Sequence, residues 1–175
     1  MFFAFLSALA VLLSALFGIL GWAGWAAAMT VLVALFLLPV AVALLWQPMQ
    51  APTLGLLVTV VAVIAILAAA VLQVLVLAGW LGAGSARSPL AWAVFLIGCW
   101  LFLISYWQLG APGLPAWVHW IGLAAGVAIA ATGAGAMVSS PFTTAARLTG
   151  VVLYLAWAVG VGIRLWMQHR TQQHA

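Results

Sequence analysis

A chain of 175 residues that is 70% hydrophobic and 2% charged cannot cover a water-facing surface, because a soluble domain carries about 25% charged side chains. It contains no Asp, Glu or Lys, and its formal charge of +4 comes from Arg87, Arg147, Arg164 and Arg170 alone. That composition excludes salt bridges between side chains, carboxylate acid–base pairs, carboxylate metal sites and Ser-His-Asp triads. So few and so dispersed cations also exclude nucleic acid as a partner and point to membrane lipid.

With lipid as solvent, backbone polar groups must be satisfied within helices or a closed barrel. A barrel needs segments that alternate apolar and polar toward a wet lumen. Stretches such as Val58 to Leu72 show no alternation, so the chain reads as all-α: a single domain over 1–175, with a short polar tail at 168–175. The N-terminus, Met-Phe-Phe-Ala-Phe-Leu, lacks the basic segment of a signal peptide and reads as a retained first helix.

No charged side chain occurs between Met1 and Trp46. As one helix those residues would run ~70 Å, over twice the ~30 Å hydrocarbon core. They therefore divide at Gly18, Gly21 and Gly24, giving spans over 2–20 and 25–46, with Pro39 expected to free the carbonyl of Leu35 and kink the second. The prolines and glutamines of Gln47–Thr53 make a loop before a third span over 54–81. Ser88-Pro89 supplies an N-cap and a proline start for a fourth span over 89–108. The turn Leu109–Gly113 leads to a fifth over 115–137, opened by Pro115. Ser140-Pro141 opens a sixth over 141–167. Nine of the eleven tryptophans fall near these ends, where the ring is apolar and its N–H wet; Trp100 and Trp157 lie mid-span. Arg147 and Arg164 enclose ~24 Å of helix and can snorkel to opposite headgroup layers, as Arg87 and Arg170 can near their own span ends.

Three constellations carry the functional expectations. Gly122, Gly126 and Ala130 repeat every four residues in the fifth span, a face that lets helix backbones approach closely or, alternatively, self-associate. His119 shares that face, and with His169 is a candidate ligand for a haem or chlorin metal; an imidazole bonded to a carbonyl, water or lipid is the alternative. Gln73, the one strongly polar side chain deep in a span, shares a face with Thr59, Ala62, Ala65, Ile66 and Ala69. It is expected to form a polar clasp, or to line a ligand pocket, with Ser105, Tyr154 or the carbonyl freed by Pro39; Tyr106 is a further pocket candidate. Cys99, the single cysteine, reads as a small apolar core residue. No metal site is expected.

Ile97 to Ala128, IGCWLFLISYWQLGAPGLPAWVHWIGLAAGVA, with Leu114, Pro115, Trp117, Trp120, Gly122, Leu123, Gly126 and the later Arg164, resembles the late helices of small uncharacterised bacterial multi-pass membrane proteins. In those, a Trp-containing helix, a Gly/Pro turn, L-P-x-W-x-x-W-x-G-L-x-x-G and a final helix ending in Arg recur. The resemblance implies a six-helix bacterial membrane protein and transfers no catalytic residue.

The expected function is a non-enzymatic membrane bundle without cofactor, acting as an accessory or assembly subunit against partner membrane helices. Two alternatives stand beside it: a binding or transport module for a small apolar molecule with a separate energising partner, and a haem- or chlorin-carrying redox or photosynthetic subunit. The bacterial inner membrane is the expected location, with the C-terminus cytoplasmic.

Overall fold

The computed structural model describes residues 2–47, 49–110, 114–138 and 142–173, with only the backbone described for Gly18, Ala23 and 164–173. These residues form six helices and no strand: α1 (Phe2–Ile19), α2 (Ala23–Leu45), α3 (Pro52–Leu77), α4 (Ala83–Gln108), α5 (Ala116–Met137) and α6 (Thr143–Gln173). The five from α2 to α6 are long and apolar enough to cross a bilayer. The 18 residues of α1 span ~27 Å, close to the thickness of the hydrocarbon core.

Each helix packs on its neighbours in sequence, and α6 closes back on α1, so the six form a ring. Leu44, Ile66, Trp100, Ile104, Val118 and Val161 fill its interior. The outside is a continuous coat of exposed Leu, Val, Ile, Phe and Trp, including Leu12, Leu16, Ile64, Val71 and Val152. A soluble monomer does not expose apolar surface on that scale. The chain is a multi-pass helical membrane bundle.

Glycine and proline set the helix ends. Gly21 and Gly79 have φ of 75° and 73°, a left-handed conformation that costs glycine no Cβ clash. Beyond Gly79, Trp80 N–H donates to the carbonyl of Leu75 (3.0 Å) and Gly79 N–H to that of Val76 (3.1 Å). This is a Schellman closure, which satisfies the orphan carbonyls of α3. It ends that helix at Leu77, ahead of the expected 81. Pro52 stands in the first turn of α3 and Pro115 is the N-cap residue of α5.

One proline expectation needs correction. Helix α4 starts at Ala83 behind Gly82, which adopts extended backbone, so Ser88-Pro89 lies inside the helix and does not begin it. A proline so near the N-terminus forgoes a single ladder bond while the turn before it stays helical. Pro39 lies inside α2 (Ala23–Leu45), where the sequence put it. Ser140-Pro141 falls outside the described residues.

Tryptophan burial divides as the span positions do. Trp22, Trp25, Trp46, Trp80, Trp92, Trp117 and Trp120, all near helix ends, are exposed, and Trp107 is half-buried. The mid-span pair, Trp100 and Trp157, are 1% and 2% exposed.

Candidate functional site

Helices α4 and α5 run antiparallel, and glycine lets their backbones touch. A Cβ on Gly126 would lie 2.5 Å from the backbone nitrogen of Phe102, and one on Gly133 2.5 Å from that of Phe95. Gly98 faces the backbone of Ala130 and Gly126 in the same way. The repeat of Gly122, Gly126 and Ala130 thus lies against α4 within one bundle, and a second copy of the chain cannot reach that face.

Towards the end of this seam nearest the 46–51 and 109–115 connections, polar side chains replace glycine contacts. Gly122 faces Ser105 Oγ from α4, and a Cβ there would lie 2.9 Å from Trp157 Nε1 of α6. One turn further out, the same register brings His119 of α5 level with Gln108, the last residue of α4. Both are 2% exposed. Gln108 Nε2 donates to the carbonyl of Leu44 in α2 at 3.1 Å. Beside it, Gln50 Nε2 donates to the carbonyl of Leu109 at 2.9 Å, and Gln50 N–H to that of Trp107 at 2.9 Å. These bonds hold the two connections together.

Two further clasps lie deeper. Trp100 Nε1 donates to Thr59 Oγ1 at 3.0 Å, joining α4 to α3, and that hydroxyl donates on to the carbonyl of Gly55 at 2.8 Å. The Ser7 and Tyr154 hydroxyls meet at 2.9 Å, joining α1 to α6. The second joins the first and last helices of the ring, and each spends a buried polar group on a partner.

His119 is the exception. Its Nε2 is the one buried side-chain nitrogen or oxygen among the described residues with no hydrogen-bond partner. A neutral imidazole with a free ring nitrogen is the form that ligates metals. Among the described residues, however, no three His, Cys, Asp or Glu side chains gather as a metal site. The side chain of His169, the expected second ligand, lies outside the described residues.

The remaining candidates are dispersed. Gln73 is half-buried near the end of α3, on the side of the membrane opposite to Ser105, with ~30 Å of helix between their levels. The expected clasp of Gln73 with Ser105 or Tyr154 is thus replaced: Tyr154 takes Ser7, and Ser105 sits against Gly122. Tyr106 is 53% exposed on the outside of α4. Arg87 and Arg147 are exposed in the early turns of α4 and α6, at the same end of the ring. The side chains of Arg164 and Arg170 fall outside the described residues. Cys99 is half-buried and free of any disulfide.

On the outer surface, α3 and α4 leave a shallow groove of about 320 Å³ between Val61, Ile64 and Ala68 on one side and Pro89, Trp92 and Leu96 on the other, floored by Ala65 and Ala93. It has almost no polar surface. Compared with protein-family models, curated proteins and solved structures, the chain matches none of them.

Proposed function

We propose that this protein is a non-catalytic membrane subunit of bacterial type, one that packs against the helices of partner membrane proteins and supports their assembly or stability. The observation that carries the reading is the α3–α4 groove, whose floor of Ala65 and Ala93 offers the close approach that helices use in lipid, where small residues replace the hydrophobic effect as the basis of packing. The inward polar groups support it, since Ser7, Tyr154, Thr59, Trp100 and Gln108 are occupied with one another or with backbone. The absence of carboxylates weighs in the same direction, against acid–base chemistry and against ion coupling by the chain alone. We place the C-terminus in the cytoplasm because the tail histidines join Arg164 and Arg170 there, although Arg87 and Arg147 stand at the opposite end.

Extraction from native membranes in a mild detergent, followed by mass spectrometry of what co-purifies, tests this reading. A stoichiometric membrane partner is expected, and Ala68→Trp, which fills the groove, should release it while Leu12→Phe on α1 does not. A monodisperse monomer with no companion would overturn it.

A further inference from the structure

We propose that the partner helix seated in the α3–α4 groove carries a carboxamide or hydroxyl side chain that accepts a hydrogen bond from the indole N–H of Trp92; this rests on the reading of that groove as the partner's site. Among the exposed tryptophans Trp92 lies furthest from a helix end. It stands nine residues after Ala83, the start of the 26-residue α4, so its Cα is only ~5 Å short of the middle of the helix. With α4 centred in a ~30 Å hydrocarbon core, that is ~10 Å below the headgroup layer. A helical side chain leans towards the N-terminus by about one turn, ~5.4 Å, which still leaves the N–H short of water and of lipid ester oxygens. The side chain is 54% exposed. Among the described residues nothing accepts its N–H: its aromatic neighbour is Phe95, edge-on at a ring separation of 5.9 Å, a weak acceptor at most.

An indole N–H left unpaired in hydrocarbon costs free energy. Eight residues further on, the same helix meets that requirement for Trp100, whose Nε1 donates to Thr59 Oγ1 of α3 at 3.0 Å. Trp100 faces inward and finds its acceptor within the ring. Trp92 faces outward on the rim of the groove, so its acceptor has to come from outside the chain. The groove itself offers none, since its other lining side chains are Val, Ile, Ala, Pro and Leu. A second copy docked groove to groove would bring the same apolar side chains, and an acyl chain carries no acceptor at that depth. A helix can supply one at any depth, and the groove has a length to suit it. The lining runs from Val61 to Ala68 on α3 and from Pro89 to Leu96 on α4, ~10 Å or two helical turns on each. One face of a crossing helix can set a large apolar side chain on the Ala65 and Ala93 floor and, a turn away, an acceptor against Trp92. A neutral acceptor fits better than a carboxylate, whose charge is costly in hydrocarbon.

The test uses the full chain in its native membranes, with a benzophenone amino acid in place of Ile64 on the groove's rim. After illumination, mass spectrometry sequences the attached peptide. The expected adduct is one membrane span of another protein, with Asn, Gln, Ser or Thr within a turn of the attachment point. Trp92→Phe, which keeps a ring on the rim and removes the N–H, should lower the adduct yield severalfold. Replacing the partner's acceptor by Ala should lower it equally while leaving this chain's own fold untouched, and should add nothing to Trp92→Phe. A span with apolar side chains alone at that level, or a yield that either substitution leaves unchanged, would overturn the inference and leave the groove as the partner's site. Adducts to lipid alone, or to a second copy of this chain, would overturn both.

Discussion

The two ends of this bundle are held together by different means. At the end that carries the 46–51 and 109–115 connections lie, among the described residues, the buried polar side chains Ser7, Thr59, Ser105, Gln108 and His119. Towards the other end, α4 and α5 meet through Gly98, Gly126 and Gly133 on the backbone of the facing helix. A polar bond towards that end is the half-buried pair Ser14 and Thr30, at 3.0 Å. In lipid, apolar side chains gain nothing by leaving the solvent, so helices associate through close van der Waals fit or through interhelical hydrogen bonds. This chain uses both, with hydrogen-bonded pairs gathered towards one end and close glycine contacts running along the α4–α5 seam from Gly122 to Gly133. The glycine end depends on shape and has no tolerance for added volume, whereas the polar end depends on pairs, each of modest worth.

That contrast can be broken most severely at the glycines. Gly126→Leu drives a side chain into the Phe102 and Gly98 backbone, where no rotamer can relieve it. A loss of about 3 kcal/mol or more is expected, read as a lowered midpoint in denaturant titration of the reconstituted protein. Gly84→Ala, where a new Cβ meets nothing within 4 Å, should instead be neutral or stabilise by up to about 1 kcal/mol. At the polar end the expected effects are smaller. Thr59→Val strands the indole N–H of Trp100 and should cost about 1–2 kcal/mol, with the near-ultraviolet signal of Trp100 altered. Tyr154→Phe removes one hydroxyl while Ser7 keeps its bond to the carbonyl of Ala4 at 2.9 Å, so a loss of about 0.6 kcal/mol is expected. Gln73→Leu should change the midpoint least, within about 0.5 kcal/mol. A large effect there would mean that α3 carries a polar contact at the glycine end after all.

How much of this could be read from residues alone differs between the two ends. The helix count and several boundaries follow from Gly21, the prolines of the Gln47–Thr53 loop and Pro115, because backbone restrictions act locally and need no knowledge of neighbours, whereas Gly79 ends α3 ahead of the expected 81. The burial of Trp100 and Trp157 follows from their distance from either headgroup layer. Pro89 misleads because a proline is tolerated both at a helix start and within the turns that follow, and only the extended Gly82 decides between them. The polar pairs were out of reach for another reason. Ser7 and Tyr154 stand 147 residues apart, and they meet only because six helices close into a ring, an order that no single span encodes. One signal was available: a tryptophan in mid-membrane must satisfy its N–H, and Thr59 is a hydroxyl on a neighbouring span at a matching depth. Gln73 drew attention as the most polar residue in its span, yet its depth placed it at the wrong end of the bundle for every proposed partner.

The central claim is that the ring closes, with α1 seated on α6 through a hydrogen bond at the polar end. A double-mutant cycle on Ser7→Ala and Tyr154→Phe, measured by reversible unfolding in lipid-like detergent, tests it most directly. The account predicts that the two losses are not additive, with a coupling of about 0.6 kcal/mol and at most about 1.7. Strict additivity would contradict it, because two hydroxyls that do not meet leave α1 with no polar tie to α6.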